Sequence, residues 1–217
     1  MKRFLLAAMH SLPIVLALLG PATAHAQDGN AALYDAVAPA GSAYLRVLNL
    51  ASGVAEMMVS GKTAAQKVNG GQLGNYLFVA PGAHKVTIGQ ASLALNLPAK
   101  SALTLVYDGS SLLQIADNYV EDSKKAQIAF YNLTDQPLAL KTRDGKHAVV
   151  DGVTPNQTAT RMVNEIKIGF AAYAGERNVA QFGELFLKKG RSYSYVVIAE
   201  GGGYRTIGLM NGLDSIK

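Results

Sequence analysis

The chain has 217 residues, with 20 lysines and arginines against 15 aspartates and glutamates, and a formal net charge of +5. It has no cysteine, which excludes disulfides, a thiol nucleophile and zinc–thiolate sites. The mild, dispersed positive charge argues against a nucleic-acid-binding domain. Such a charge is explained by ordinary solubility alone. A weak attraction of the positive charge to an anionic polymer or an acidic partner stays open.

The first 26 residues have the composition of a secretory signal peptide. A short basic start, Met1–Arg3, is followed by the apolar run Phe4–Gly20 and by the small-x-small motif Ala24–Ala26. The run is too short and too interrupted for a stable membrane-spanning helix. Cleavage after Ala26 would lower the formal charge to +3 and leave no other long apolar stretch, so we expect an exported protein that does not span a membrane. Export without cysteine indicates the periplasm of a Gram-negative bacterium.

The residues that follow the signal have the pattern of an all-β protein. Short segments alternate apolar and polar residues, or are rich in β-branched, leucine and aromatic residues, and glycine-containing turns separate them. In chain order, the predicted strands are Tyr44–Leu48, Ser92–Leu97, Ala102–Tyr107, Ala126–Tyr131, Ile166–Phe170, Glu184–Leu187 and Tyr193–Ile198. Amphipathic helical periodicity is not evident anywhere, and short strands at this spacing predict sandwiches or barrels.

The two halves of the chain resemble each other. The aligned pairs are Ala43–Leu50 with Ala126–Leu133 at an offset of 83, Val54–Lys62 with Leu138–Lys146 at 84, and Leu95–Tyr107 with Leu185–Val197 at 90. Such a long period indicates two whole domains rather than a solenoid. We therefore predict two tandem β-sandwich domains, Ig-like or jelly-roll-like, of residues 27–119 and 126–217. The polar segment 120–125 is the predicted linker.

No motif in the chain predicts a catalytic or metal site. His84 and His147 lie beside turns in different halves, and a histidine metal site normally needs three or four converging ligands. The segment Asp108–Ser111 superficially resembles a serine on a glycine turn, but without a Gly-x-Ser-x-Gly motif a plain hairpin turn is the simpler interpretation. The acidic residues are scattered singly, with no facing pair for glycosidic chemistry. We expect no enzyme, no cofactor and no metal.

One resemblance covers nearly the whole chain. Ala31–Asn49, Pro81-Gly82, Leu103–Tyr107 and Asn132–Val150 are similar to the AlgF family of alginate O-acetylation proteins. The resemblance implies two linked β-sandwiches in a periplasmic, non-enzymatic protein that is required for O-acetylation of an exopolysaccharide and acts by binding its partners. The implied partners are a periplasmic SGNH-type acetyltransferase and a membrane-bound O-acyltransferase. Because related proteins occur in acetylated-cellulose gene clusters, either alginate or a cellulose-type polymer fits the resemblance.

Two sets of residues are candidates for contacts. The family-specific segment around the first predicted strand is the candidate partner surface, although pairing as an edge strand within the domain would explain it equally well. Its candidate residues are Ala31, Leu33, Tyr34, Pro39, Gly41 and Arg46. The alternative function is a polysaccharide-binding module that recruits the polymer to the acetylation complex. Its candidate contacts, chosen by charge alone, are Lys85, Lys141, Arg143, Lys146, Lys188, Lys189 and Arg191.

A third hypothesis is an acetyl carrier that uses a serine or tyrosine hydroxyl. Nothing in the residue pattern favours it over the other two.

Overall fold

The computed structural model describes residues 38–120, 122–214 and 216, and this part of the chain is built from β-strands without a helix. The all-β prediction is therefore confirmed. Accordingly, no helix among these residues is long and apolar enough to cross a membrane. The predicted signal peptide, residues 1–26, and the candidate contacts Ala31, Leu33 and Tyr34 lie outside the described residues.

The first half forms a sandwich of two four-stranded sheets. Its strands are β1 (Ala43–Asn49), β2 (Ala55–Val59), β3 (Gln66–Val68), β4 (Tyr76–Val79), β5 (Gly82–Ile88), β6 (Ala91–Leu97), β7 (Ala102–Tyr107) and β8 (Leu112–Asp117). One sheet has the order β4-β1-β7-β8, with β1 and β7 parallel, and the other has the order β3-β2-β5-β6. On β2, Ala55, Met57 and Val59 are buried and the residues between them are exposed. This two-residue period is that of a strand with one face packed against a core.

The second half repeats this topology. Its strands are β9 (Ala126–Leu133), β10 (Leu138–Thr142), β11 (Ala148–Val153), β12 (Gln157–Val163), β13 (Ile166–Ile168), β14 (Phe170–Ala174), β15 (Arg177–Gln181), β16 (Leu185–Leu187), β17 (Ser192–Glu200) and β18 (Gly203–Met210). The two sheets have the orders β12-β9-β17-β18 and β11-β10-β14-β15, and β9 and β17 are parallel. An additional ribbon of β13 and β16 has no counterpart in residues 38–120, the part of the first half that the structure describes. The predicted tandem arrangement of two β domains is confirmed.

A buried asparagine near the end of the first strand of each half makes the same hydrogen bonds. The Nδ2 group of Asn49 donates to the backbone carbonyls of Gly53 and Val68, at 2.7 and 2.9 Å. Asn132, which the sequence repeat aligns with Asn49, donates to the carbonyl four residues on and to that of Val153, at 2.8 and 2.7 Å. The repeat therefore extends from strand order to individual polar contacts.

The end of the chain returns to the first half. A short last strand, β19 (Leu213–Asp214), pairs in parallel with β4, where Leu213 lies opposite Tyr76. The Asp214 carboxylate accepts hydrogen bonds from Gln66 Nε2 at 2.5 Å and from Asn75 Nδ2 at 3.0 Å. The segment predicted as the second domain thus supplies an edge strand to the first sandwich, and the boundaries 27–119, 120–125 and 126–217 stay predictions.

Three apolar clusters hold the structure together. One fills each sandwich, with Leu45 and Val47 of β1 in the first and Ile128 and Phe130 of β9 in the second. The third lies between the two sandwiches and is formed by Leu48, Leu73, Val106, Ile115, Tyr131, Leu133, Val196 and Ile198. Strands β1, β7, β9 and β17 are therefore buried on both faces. The two sandwiches form one compact unit.

One predicted strand is broken in the structure. Ile166–Phe170 is two strands, because β13 leaves to pair with β16 while β14 joins β10. Gly169 lies at the break, and a Cβ atom there would stand 2.5 Å from Arg143 Nε. Any larger residue would have to displace that guanidinium, so the glycine permits the close approach of Arg143.

Candidate functional site at the junction of the two sandwiches

Arg46 is a fully buried charged side chain between the two sandwiches. Strand alternation places it on the face of β1 that points away from the first core. Its guanidinium donates hydrogen bonds to Thr104 Oγ1 at 2.9 Å, Asn211 Oδ1 at 2.8 Å, Tyr131 OH at 2.6 Å and Ser194 Oγ at 2.9 Å. Side chains from both halves therefore converge on one cation.

Asp117 completes this cluster from the end of β8. Its carboxylate accepts hydrogen bonds from the hydroxyls of Tyr76, Thr104 and Tyr131, at 2.8, 2.7 and 2.8 Å. The guanidinium carbon of Arg46 also lies 4.1 Å from the centre of the Tyr76 ring, a cation–π geometry. The hydroxyls of Thr104 and Tyr131 thus connect the buried cation to the carboxylate.

The polar groups around Arg46 occupy equivalent positions in the two halves. The sequence repeat aligns Thr104 with Ser194, and both hydroxyls accept a hydrogen bond from Arg46. Each hydroxyl then donates to a side chain on the neighbouring strand or just beyond it, Thr104 to Asp117 and Ser194 to Asn211 at 2.8 Å. The polar groups of the cluster therefore follow the tandem repeat, whereas the central residue Arg46 comes from the first half.

Burial and charge fix the protonation states in this cluster. Burial raises the pKa of the Tyr131 phenol, and raises that of Tyr76 well above its usual range, although the Arg46 charge acts in the opposite direction. Burial by itself would lower the pKa of Arg46, but Tyr131, Tyr76 and Asp117 outweigh it and raise that pKa. The phenols stay neutral and the guanidinium stays charged, as a structural cluster requires.

The residues predicted as partner contacts do not lie together on one surface. Arg46 lies in the interior, and a partner could reach it only if the two sandwiches separated. Pro39 and Gly41 lie in the turn before β1, where the Pro39 carbonyl accepts hydrogen bonds from the backbone and hydroxyl of Ser42, at 3.2 and 2.8 Å. Pro39 is exposed there. The structure leaves Pro39 available at the surface and does not bring it to Arg46.

The predicted polymer contacts lie in three separate places. They are Lys85 on β5, the group Lys141, Arg143 and Lys146 on and after β10, and the group Lys188, Lys189 and Arg191 before β17. Lys141 Nζ lies 3.5 Å from a carboxylate oxygen of Glu176, and Arg143 donates to the Phe182 carbonyl at 2.7 Å. Lys141 and Arg143 are thus engaged with neighbouring groups of the second sandwich.

A cleft of about 150 Å³ opens where the chain passes from one sandwich to the other. Tyr119 and Val120 line it from the end of the first half, and Lys125 and Arg191 line it from the second. Tyr119 is 46% exposed and Val120 is 55% exposed. In the sequence, this segment has the composition of a polar linker. The pair Tyr119-Val120 is the one feature in it that indicates a binding surface. The structure brings the predicted contact Arg191 to that pair.

The serine turn is structural. Ser110 and Ser111 donate both their backbone N–H groups and their hydroxyls to the carboxylate of Asp108. These hydrogen bonds, that of the Ser111 hydroxyl above all, lower the pKa of Asp108. Both serines are thus occupied in the turn between β7 and β8. Across residues 38–120, 122–214 and 216, no group of three or more His, Asp or Glu side chains could hold a metal ion.

Comparison with known proteins identifies the family. A family model described as alginate O-acetyl transferase AlgF matches residues 16–194. The chain is 34% identical over 163 residues to alginate biosynthesis protein AlgF of Azotobacter vinelandii, covering 75% of each chain. It is 33% identical over 186 residues to the Pseudomonas aeruginosa protein of that name, covering 85% of each. A solved C-terminal domain of AlgF from P. aeruginosa matches 41% of this chain and 99% of its own length, at 30% identity and a TM-score of 0.38. The chain belongs to the AlgF family, as its sequence resemblance predicts.

Proposed function

We propose that this protein is a periplasmic adaptor in the O-acetylation of an exopolysaccharide, and the names of its relatives favour alginate as the polymer. It binds an SGNH-type acetyltransferase and the membrane-bound O-acyltransferase of the same pathway, and a partner places the acetyl groups on the polymer. Family membership supports the pathway. The observation that carries the binding role is the junction cleft, with its exposed apolar pair beside two basic side chains.

The junction cleft has the chemistry of a protein-binding surface. Tyrosine and arginine are enriched among the residues that dominate binding energies, and Tyr119 and Arg191 both line it. The segment that carries Tyr119 and Val120 is held from behind by Gln127, whose side-chain oxygen accepts from Val120 N at 3.1 Å and whose side-chain nitrogen donates to Asn118 O. A surface ordered in this way loses less conformational entropy when a partner binds.

A matched pair of valine substitutions tests this surface. Val120 in the cleft and Val54 elsewhere on the first half are 55% and 57% exposed. We expect Val120→Ser to weaken binding of the purified SGNH acetyltransferase by roughly tenfold, because an apolar contact at the centre of an interface contributes on the order of 1–2 kcal/mol. Val54→Ser should bind as the unsubstituted protein does. Equal binding by all three proteins, measured by calorimetry, would contradict the proposed surface.

The pathway is tested in a strain that lacks this chain. We expect the secreted exopolysaccharide to lose its O-acetyl groups while its yield is unchanged, because an adaptor of acetylation is not needed for polymerisation. Fractionation of the complemented strain should recover the protein with the periplasmic contents. Unchanged acetylation would contradict the proposed role, and the identity of the sugar that loses acetyl groups would name the polymer.

The polysaccharide-binding alternative has one observation in its favour. Lys125 and Arg191 line the same cleft together with Asp122, so its formal charge is positive by one unit and an anionic chain could contact the two basic side chains. Titration with alginate fragments should then shift the amide resonances of this cleft at low salt and lose that effect as salt rises, because screening weakens exposed charge contacts. Unshifted resonances at low salt would eliminate the alternative and leave the adaptor.

A further inference from the structure

A second and larger cleft, of about 350 Å³, lies on the first sandwich. Ser60 and Lys62 reach it from the turn after β2, Phe78 from β4 and His84 from β5, and Pro39 lines it from the turn before β1. Phe78, Val79 and Pro81 give the cleft apolar walls, and Ser60, Lys62 and His84 place a hydroxyl, an amine and an imidazole beside them. This is the combination that group-transfer sites use.

Within this cleft, the Ser60 hydroxyl and the His84 imidazole face each other. The Nε2 atom of His84 lies 2.7 Å from the backbone carbonyl of Ala80. Because a carbonyl can only accept, Nε2 carries the hydrogen, and the neutral imidazole then has its lone pair on Nδ1. That Nδ1 atom lies 3.5 Å from Ser60 Oγ. A serine and its general base are often this far apart before substrate binds, and they come closer in the substrate complex.

The backbone fixes the position of Ser60. Its N–H donates to the Lys85 carbonyl at 2.9 Å, and the Lys85 N–H donates in return to Ser60 Oγ at 3.0 Å. This pairing extends the β2–β5 ladder by one residue and turns the hydroxyl toward His84. The hydrogen bond from Lys85 N–H also offers a donor to the oxygen as its own proton leaves, which favours the more nucleophilic form.

Lys62 supplies a fixed positive charge to the same cleft. Its Nζ donates to the Ile216 carbonyl at 2.9 Å and lies 4.7 Å from the centre of the Phe78 ring. These two contacts hold the ammonium group at the wall of the cleft. A fixed cation in a partly apolar site stabilises the negative charge that develops on a carbonyl oxygen under nucleophilic attack.

We propose that Ser60 is an acyl-acceptor nucleophile, with His84 as its general base, and that it takes an acetyl group from an activated acetyl ester or thioester. The role goes beyond the adaptor function and does not depend on it. It gives the acetyl-carrier hypothesis a specific residue. Pro39, which is exposed, lies in the same cleft.

The proposed transfer has two steps. In the first, Ser60 Oγ attacks the carbonyl carbon of the donor, the Oγ–C bond forms, and the hydroxyl proton passes to His84 Nδ1. The bond from that carbon to the donor's oxygen or sulfur then breaks, and the leaving oxygen or sulfur takes the proton from His84. A hydroxyl of an acceptor, or water, then attacks the acetyl carbon. The acceptor's proton passes through His84 Nδ1 to Ser60 Oγ as the Oγ–C bond breaks. No oxidant or metal is required.

The test uses the purified protein and p-nitrophenyl acetate as the acyl donor. Intact mass after acid quenching should show one added acetyl group, and peptide mapping should locate it on Ser60. Ser60→Ala should lose the label at that site, and His84→Ala should slow its appearance by roughly 100-fold, the lower end of what a general base contributes. Matched controls in the same protein are Ser110→Ala, a serine engaged with Asp108, and His147→Ala, an exposed histidine of the other half.

Each outcome decides the proposal. Label on Ser60 that depends on His84 and is unaffected by the two controls supports it. Label confined to lysines, or Ser60 label that appears equally fast without His84, overturns it. Ser60→Ala and His84→Ala are surface substitutions, and binding of the SGNH acetyltransferase measured on the same variants separates this proposal from the adaptor role, because a failure at Ser60 leaves that binding intact.

Discussion

Replacing Arg46 by alanine tests whether the buried cluster holds the two sandwiches together. The substitution removes the four side-chain hydrogen bonds that the guanidinium donates, two of them to residues of β9 and β17. It also removes the cation that lies 4.1 Å from the centre of the Tyr76 ring. Asp117 then remains beside the interface without its countercharge.

The expected loss follows from burial and charge. Removing one partner of a buried ionic cluster costs about 3–5 kcal/mol, and we expect the lower end of that range because the remaining charge, Asp117, is only half-buried. The four hydrogen bonds do not add to more than this, since Thr104 and Tyr131 still donate to Asp117. Arg46→Lys keeps the charge but replaces a planar fork by a single nitrogen, and should cost about 1–3 kcal/mol. Either value is a large fraction of the roughly 5–15 kcal/mol that stabilises a typical domain.

Urea unfolding measures this loss. The chain has no tryptophan, so tyrosine fluorescence and circular dichroism are the signals to follow, with linear extrapolation to water. The matched control is Arg161→Ala, which removes an exposed arginine of β12 and should change the free energy of unfolding by less than about 0.5 kcal/mol. If Arg46→Ala proves as mild as this control, the cluster does not hold the sandwiches together and the reasoning is refuted.

Two further predictions concern pH and the repeat. The pKa of Tyr131 is raised in the folded protein above its ordinary value of 10.0, so its contribution to stability is complete below that pH and is lost as the pH rises beyond it, because the unfolded phenol ionises first. The fall in free energy of unfolding above this pH should be shallower in Tyr131→Phe, and an identical fall would contradict the assignment. Asn49→Ala and Asn132→Ala should each cost about 2–3 kcal/mol in urea unfolding, since each removes two side-chain hydrogen bonds to backbone carbonyls. A cost confined to one of them would show that the two asparagines are not equivalent.

Local patterns in the sequence were sufficient to predict the strands and the tandem repeat. The segment Ser92–Leu97 places leucines at every second position, and it forms β6 with Leu95 and Leu97 buried. The aligned segments Ala43–Leu50 and Ala126–Leu133 form β1 and β9, each paired in parallel with a later strand of its own half. These features are predictable because the two-residue period of a strand depends only on neighbours along the chain.

The same pattern does not show what surrounds Arg46. Alternation correctly sets it on the opposite face of β1 from Leu45 and Val47, and a polar residue on that face normally meets solvent. In this protein the second sandwich covers that face, so Arg46 meets Tyr131, which is 85 residues away. The segment that carries Tyr119 and Val120 has the composition of a linker, yet it forms one wall of a cleft.

The sequence by itself determined the strand pattern, the tandem repeat and the family, each of which is carried by residues close together along the chain. Only the tertiary structure decided that Arg46 is interior, that the last strand returns to the first sandwich, and that Ser60 lies beside His84. The physical reason is the same in all three cases. Such contacts depend on which distant strands pair and which sheet faces are covered, and a hydrophobic period specifies that a face is buried without specifying what buries it.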